Sequence, residues 1–284
     1  MNNFIKFSDI DPNTITDKWN EMIREVVSSY FLPPRKRKVC VDIGSNIGAF
    51  MGYALNEDRF ESICGFEPAF QTYHTSLSML KHFNLVTENV QLRNLAVSYK
   101  TGDMLRLFEH PSSQSGDTSL IEPDEVGQHE VCLSVSLDDI FELLNVDYID
   151  YLKMDCEGAE LGILLASERL HDIGIIIMET HEVNGSQTKG PIRELFSKIG
   201  FWTMGFRHPQ TGETNEIIIA VNTLKEDVSE FTDYYGYGAD GQKNTLGELE
   251  AESIELGGAP LNIKEWAQWF KDNMREAKNS GEKE

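Results

Sequence analysis

The chain has 284 residues, of which 40% are hydrophobic, and its formal net charge is −22. The length suits one domain of roughly 200 residues with extensions, and the negative charge disfavours nucleic acid and membranes as partners. Four cysteines without a C-x-x-C pair lie in apolar runs, which favours a reducing compartment over disulfides or zinc. Because neither a signal peptide nor a membrane-span pattern is recognised, we expect a cytoplasmic location.

The sequence pattern divides the chain into three parts. Residues 1–38 form a helical lead-in, because apolar residues recur with helical spacing over 17–30 before two prolines. Residues 39–222 form the main domain. Residues 223–284 form an acidic, aromatic extension that contains an amphipathic helical pattern over 261–274.

Strand-like and helix-like segments alternate through the main domain. The strand-like segments are 39–43, 62–67, 90–97, 148–155, 174–180, 201–206 and 216–221. The helix-like segments are 49–55, 70–83, 137–144, 160–170 and 190–199. The alternation predicts an α/β fold with a mostly parallel sheet covered by helices on both faces.

Two segments depart from this alternation. The turn residues at 209–212 predict a hairpin, so one C-terminal strand is expected to run antiparallel. Residues 98–136 form a predicted insertion with two short strands around a polar loop at 111–117. That loop is either a lid over the ligand-binding edge or plain surface variation.

The first strand, turn and helix carry a ligand-binding pattern. Asp42 ends the strand, and Gly44 and Gly48 follow in the turn, where bare backbone lets a ligand approach. A dinucleotide fingerprint needs glycine where this chain has Asn46, which disfavours a nicotinamide cofactor. The pattern therefore favours a nucleoside-type cofactor without a pyrophosphate.

The ends of the next two strands add candidate cofactor contacts. Glu67 ends the second strand, just before Pro68, and a carboxylate there can accept hydrogen bonds from both ribose hydroxyls. The third strand ends around Asn94 and Ala96, whose backbone and small side chains could edge an adenine ring. Surface positions at strand ends are the alternative interpretation.

The densest cluster of charged residues follows the fourth strand. Asp155 and Glu157 come at its carboxyl end, where such sheets bind ligands. Glu160 opens the next helix, so its role is either part of the site or favourable placement at a helix N-terminus. Lys153 is expected to point across the sheet toward a neighbouring carboxylate.

The fifth strand ends with Glu179 and His181, which alternate to the same side. A histidine beside a carboxylate can act as a general base near neutral pH, although a structural histidine is the alternative. Asp155, Glu179 and His181 could instead hold a divalent metal, which is the less favoured interpretation.

Six motifs together resemble the FkbM family of S-adenosylmethionine-dependent methyltransferases over roughly residues 36–222. They are 41–48 (VDIGSNIG), 65–68 (GFEP), 94–97 (NLAV), 136–139 (SLDD), 152–160 (LKMDCEGAE) and 178–181 (METH). The resemblance implies a seven-stranded class I methyltransferase fold and O-methylation, often of sugar or polyketide hydroxyls. It implies that Asp42, Gly44 and Gly48 frame S-adenosylmethionine, and Ser45 and Asn46 of the same turn are further predicted cofactor contacts. It further implies that Glu67 accepts hydrogen bonds from the ribose hydroxyls and that Asp155 and Glu157 line the reaction site.

The sequence thus predicts an O-methyltransferase that acts on a hydroxyl of a small molecule, with a sugar or glycan favoured. Either His181 or Asp155 is the expected base, and the other would orient the substrate. The alternatives are a non-catalytic nucleoside-binding module and a nicotinamide-dependent oxidoreductase. A third is an interaction protein that uses the C-terminal aromatic residues, which could otherwise form a lid that stacks on a sugar ring.

Overall fold

The computed structural model describes residues 12–109, 118–119, 129–183, 186–208 and 212–228. The helices in these ranges are α1 (Pro12–Ser29), α2 (Ala49–Asn56), α3 (Phe70–His82), α4 (Leu137–Leu144), α5 (Glu160–Ala166) and α6 (Lys189–Lys198), with a 3-10 turn at Leu170–Asp172. The first seven strands are β1 (Arg37–Ile43), β2 (Phe60–Phe66), β3 (Val90–Arg93), β4 (Ala96–Ser98), β5 (Met104–Glu109), β6 (Thr118–Ser119) and β7 (His129–Ser136). The later strands are β8 (Ile149–Met154), β9 (Ile173–Thr180), β10 (Glu182–Val183), β11 (Ser186–Gln187), β12 (Phe201–His208) and β13 (Gly212–Asn222).

The main sheet has seven strands in the order β12-β13-β9-β8-β1-β2-β3. The pairs from β9 through β3 are parallel, whereas β13 runs antiparallel to both of its neighbours. The predicted α/β sheet with an antiparallel C-terminal strand is confirmed. Residues 209–211 of the predicted hairpin lie outside the described residues.

Strand β9 shows why the sheet lies in the centre of the domain. Each of its residues is buried, and alternate side chains enter different cores. Ile176 and Met178 pack into one hydrophobic cluster, and Ile175 and Ile177 pack into the other. A strand that is apolar on both faces needs helices or sheets on both sides, as the continuous apolar run predicts.

The single strand predicted over 90–97 is wrong, because the chain leaves the main sheet after Arg93. The Asn94 side-chain amide donates to the carbonyls of Glu67 (2.9 Å) and Pro68 (2.8 Å), which turns the chain away. Strand β4 then joins a second sheet with the order β4-β7-β5-β6. The predicted insertion thus contributes a sheet, and its polar loop at 111–117 lies outside the described residues.

The helix predicted over 160–170 ends early, at Ala166. Ser167 has an extended backbone conformation, and the amide of Glu168 donates to the Asp138 carboxylate at 3.0 Å. A 3-10 turn follows at Leu170–Asp172. This contact between α4 and the segment after α5 takes the place of the last predicted helical turn.

The lead-in helix exists as α1, which packs on α2. The Trp19 ring lies so close to Gly52 that a Cβ there would be 2.4 Å from it, and it also stacks on Phe83 with ring centroids 4.2 Å apart. No helix within the described ranges is both long and apolar enough to cross a membrane. Residues 229–284, which hold the predicted amphipathic helix, lie outside those ranges.

Candidate active site

The glycine turn after β1 is fixed to the strands on both sides of it. The amides of Gly44 and Ser45 both donate to the Phe66 carbonyl, each at 3.0 Å. Gly44 has φ +72°, and a Cβ there would lie 1.8 Å from the backbone oxygen of Asp155. Only glycine allows this approach, so the turn brings the carboxyl ends of β1, β2 and β8 together.

A cleft lies at these strand ends, with a volume of about 620 Å³ that includes open solvent at its mouth. Its lining consists of Ile43, Gly44, Asn46, Phe66, Glu67, Pro68, Thr72, Ala96, Val97, Leu107, Asp155, Cys156 and Glu157. Seven of the predicted site residues are in this set: Gly44, Asn46, Glu67, Pro68, Ala96, Asp155 and Glu157. A concave site at the carboxyl ends of parallel strands is the usual ligand position in such sheets.

Four other predicted cofactor residues lie outside the lining. Asp42 is fully buried beside a lysine, and Ser45 is buried with no hydrogen-bond partner for its hydroxyl. Gly48 begins α2, and a Cβ there would lie 2.5 Å from the Ser76 hydroxyl. Asn94 holds the turn after β2. These residues shape the cleft from behind its surface.

Glu67 is a buried carboxylate at the wall of the cleft. Its two oxygens accept hydrogen bonds from the amides of Asn46 and Ala69, both at 2.9 Å. Burial raises the pKa of Glu67 to about 7, although these two amides act in the opposite direction. The carboxylate keeps further lone pairs that can accept hydrogen bonds from a ligand.

Lys153 is the buried cation behind the cleft. Its ammonium lies 3.3 Å from the Asp42 carboxylate and 3.7 Å from that of Asp155, and it donates to the Gly44 carbonyl at 2.9 Å. Burial by itself lowers the pKa of a lysine, but Asp42 and Asp155 outweigh it and raise the pKa of Lys153 above its ordinary value. The predicted orientation toward a carboxylate is confirmed, and the lysine ties the turn to β8.

His181 lies at the centre of a group of carboxylates. Its Nδ1 is 3.0 Å from Glu160 Oε1, and its Nε2 is 3.5 Å from Glu157 Oε2, 3.7 Å from Glu179 Oε1 and 3.8 Å from Asp155 Oδ1. Burial alone would lower the pKa of His181, but Glu160, and then Glu157 and Asp155, raise it well above its usual value. These carboxylates favour the protonated form of the imidazole, whereas a general base has to be unprotonated to accept a proton.

Glu160 combines the two roles that the sequence left open. It begins α5, and its Oε1 accepts hydrogen bonds from the amides of Cys156 (2.9 Å) and Gly158 (3.2 Å). The same oxygen contacts His181. Its other oxygen is buried and has no hydrogen-bond partner, so Glu160 both stabilises the loop before the helix and orients the imidazole.

Tyr30, from the lead-in segment, contacts this group. The sequence analysis did not predict a site role for this residue. Its hydroxyl lies 2.9 Å from Asp155 Oδ2 and 3.4 Å from Glu179 Oε2, so its proton can be donated to either oxygen. Burial, followed by the charges of these two carboxylates, raises the pKa of Tyr30 well above its usual range. The phenol therefore stays a neutral donor. A tyrosine at the end of an amphipathic helix has no feature in the sequence that would indicate this role.

The oxygens and nitrogen around His181 could hold a metal ion. One ligand atom each from Asp155, Glu157 and His181 lie within 4.8 Å of one another. The sequence named Glu179 in place of Glu157, and the structure places both near the imidazole. The structure thus adds Glu157 to the candidate ligands.

The model of the FkbM methyltransferase domain family matches residues 42–220. No curated protein matches the chain significantly. Among solved structures, a FkbM methyltransferase from Methylobacillus flagellatus KT is 15% identical, with a TM-score of 0.48 over 69% of this chain. The match spans 47% of that protein, so this chain corresponds to about half of its length.

Two further solved structures share this level of likeness. TrmK of M. capricolum, in complex with S-adenosyl-homocysteine, is 12% identical, with a TM-score of 0.42 over 93% of this chain and 96% of that one. A precorrin-6y C5,15-methyltransferase from Geobacter metallireducens GS-15 is 14% identical, with a TM-score of 0.40 over 73% and 88%. The family assignment therefore depends on the family model, which covers more than half of the residues. On that ground the chain belongs to the FkbM family of S-adenosylmethionine-dependent methyltransferases.

Proposed function

We propose that this enzyme transfers the methyl group of S-adenosylmethionine to a hydroxyl oxygen of a small molecule, with a sugar or glycan as the favoured class. The observation that carries the proposal is one cleft with two kinds of wall. A glycine turn and the buried Glu67 form one part of its lining, and Asp155 and Glu157, which border His181, form another. A nucleoside cofactor and a hydroxyl acceptor need such adjoining surfaces.

The residues present fit the cofactor. Gly44 lets the turn pack against the Asp155 backbone, and Gly44 itself lines the cleft. Glu67 offers a carboxylate with spare lone pairs for ribose hydroxyls. We assign Gly44, Asn46 and Glu67 to cofactor binding. When bound, S-adenosylmethionine supplies a methyl group on a sulfonium, which is a good leaving group.

The protein side chains have to provide the other two requirements of the reaction, which are alignment of the acceptor and removal of its proton. They must hold the acceptor hydroxyl in line with the methyl group. Such alignment can lower the activation free energy by several kcal/mol, up to about 7–11 kcal/mol. They must also take the hydroxyl proton. Asp155 and Glu179 are the candidates for that step, since both are carboxylates beside His181. The protonated His181 would orient the acceptor by donating a hydrogen bond.

The chemistry of the cluster supports a polyol acceptor. Asp155, Glu157 and Glu179 offer hydrogen-bond acceptors on three separate side chains, and hydroxyl groups are donors that match them. The buried Tyr30 phenol contacts two of these carboxylates and donates its proton to one of them at a time, which restricts the positions of these acceptors. A sugar presents several hydroxyls at once, and these can donate hydrogen bonds to the three carboxylates.

The test is methyl transfer from labelled S-adenosylmethionine to a panel of sugars, glycans, simple alcohols, phenols and amines. We expect label on oxygen in the sugar class and a loss of at least tenfold in turnover for Asp155→Asn at saturating cofactor. Asp147→Asn is the matched control, because Asp147 is exposed just before the same strand. Cofactor binding without label on any acceptor would instead favour the non-catalytic module.

Calorimetry separates the remaining alternative. S-adenosylhomocysteine and reduced nicotinamide dinucleotide are each titrated into the protein. Binding of the first alone agrees with the proposal. Binding of the dinucleotide alone would overturn it and favour an oxidoreductase.

A further inference from the structure

We propose that the group around His181 is a binding site for one divalent cation, held by Asp155, Glu157 and His181 next to the acceptor hydroxyl. The use of the cation in catalysis rests on the proposed function. Its binding does not, because the site is built from the protein alone. A hard cation that accepts carboxylate oxygens together with one imidazole, such as Mn²⁺, matches the donor set.

The spacing of the donor atoms agrees with a cation between them. His181 Nε2 lies 3.5 Å from Glu157 Oε2 and 3.8 Å from Asp155 Oδ1. These contacts are long for hydrogen bonds. Two ligands at about 2.1 Å from one ion are about 3.0 Å apart when adjacent and about 4.2 Å apart when opposite. Both distances from His181 fall inside that range, and all three donor atoms lie within 4.8 Å of one another.

Two buried side chains orient the donor atoms. Glu160 holds Nδ1 of His181 at 3.0 Å, which leaves Nε2 directed at the carboxylates. The Tyr30 hydroxyl contacts Asp155 Oδ2 and Glu179 Oε2, while Asp155 Oδ1 and Glu179 Oε1 face the imidazole. Metal-binding histidines and carboxylates are commonly held in this way through their second atom.

The charge balance is an independent reason to expect a cation. Asp155, Glu157, Glu160 and Glu179 surround a single imidazole, and the nearby Lys153 is closer to Asp42. A cation bound at Nε2 would take the place of any proton on that nitrogen, so the imidazole would bind it in the neutral form. The fully buried Oε2 of Glu160, which has no hydrogen-bond partner, adds negative charge beside the imidazole. S-adenosylmethionine adds one positive charge, and a divalent cation would neutralise more.

A cation here has a defined role in the proposed reaction. It would bind the acceptor oxygen and stabilise the negative charge that forms as the hydroxyl proton leaves. With Asp155 as a ligand, that proton passes to Glu179, whose Oε1 lies 3.7 Å from His181 Nε2. The oxygen would then form a bond to the methyl carbon as the carbon–sulfur bond breaks, which releases S-adenosylhomocysteine as a neutral thioether.

The experiment measures Mn²⁺ binding to the full chain after treatment with EDTA, by electron paramagnetic resonance of free Mn²⁺, with and without S-adenosylhomocysteine. We expect one Mn²⁺ per chain. Glu157→Gln should raise the Kd at least tenfold, and Tyr30→Phe, which removes only an orienting hydroxyl, should raise it about tenfold. Glu182→Gln is the matched control, since Glu182 follows His181 but points to Gln187; its Kd should equal that of the wild type.

Circular dichroism establishes that each variant is folded, and Glu157 is suited to substitution because its side chain is 41% exposed. The proposal is overturned if the wild type binds no Mn²⁺, or if Glu157→Gln and Tyr30→Phe bind it as tightly as Glu182→Gln does. Calorimetry with S-adenosylhomocysteine on the same samples reports separately on the methyltransferase function. If the cofactor binds normally and Mn²⁺ does not, the cation site is refuted and the proposed function is not affected.

Discussion

Cofactor affinity should depend on pH through Glu67. In the cofactor-free protein, burial raises the pKa of this carboxylic acid to about 7. The ionised form accepts hydrogen bonds from ribose hydroxyls better than the neutral acid does. Binding therefore has to remove a proton from Glu67 at low pH, and that requirement disappears at high pH.

The size of the effect follows from the pKa. A group with a pKa of about 7 is about nine-tenths ionised at pH 8 and about one-tenth ionised at pH 6. The Kd for S-adenosylhomocysteine should therefore rise about tenfold from pH 8 to pH 6, which is about 1.4 kcal/mol. A site whose carboxylate is already ionised at pH 6 would show no change in Kd over this range.

Calorimetry at pH 6, 7 and 8 and constant ionic strength measures this dependence. Glu67→Gln is the matched variant, because it keeps the shape of the side chain and removes the titrating group. It should bind more weakly at pH 8 and show no pH dependence over this range. A wild-type Kd that is constant within twofold, or the same slope in Glu67→Gln, would refute the reasoning.

Two further substitutions test the buried contacts behind the cleft. Gly44→Ala should lower the free energy of unfolding by at least about 2 kcal/mol in urea denaturation, because its Cβ meets Asp155 backbone at 1.8 Å in addition to the cost of a left-handed φ. Gly102→Ala, with φ +86° and open space around it, should lose only about 1 kcal/mol, and equal losses would argue against the contact. Lys153→Met should cost about 3–5 kcal/mol by leaving Asp42 buried without its cation. Adding Asp42→Asn should restore much of that loss, and no recovery would contradict the ion pair.

Features that depend on local sequence could be predicted. The apolar run of β9 and the hairpin chemistry after β12 identify their strands without knowledge of the rest of the chain. The glycine turn and Glu67 follow two such strands, and parallel strands bring their carboxyl ends to one edge. The sequence could therefore predict seven of the residues that line the cleft at that edge.

Features that depend on distant contacts could not be predicted. The break after Arg93 is set by the Asn94 side chain, which bonds to carbonyls more than twenty residues earlier. Leu107 reaches the cleft from the second sheet, and Tyr30 is 125 residues from its partner Asp155. Periodicity and turn chemistry carry no information about such pairs.

The origin of Tyr30 has a consequence for how acceptor preference can diverge. The family match begins at Asp42, yet a hydroxyl from the segment ahead of it supports two carboxylates of the reaction centre. Under the proposed function, mutations in that leading segment would change the acceptor site without changing the cofactor site. Relatives with a different leading segment would then use the same methyl donor and prefer different acceptors.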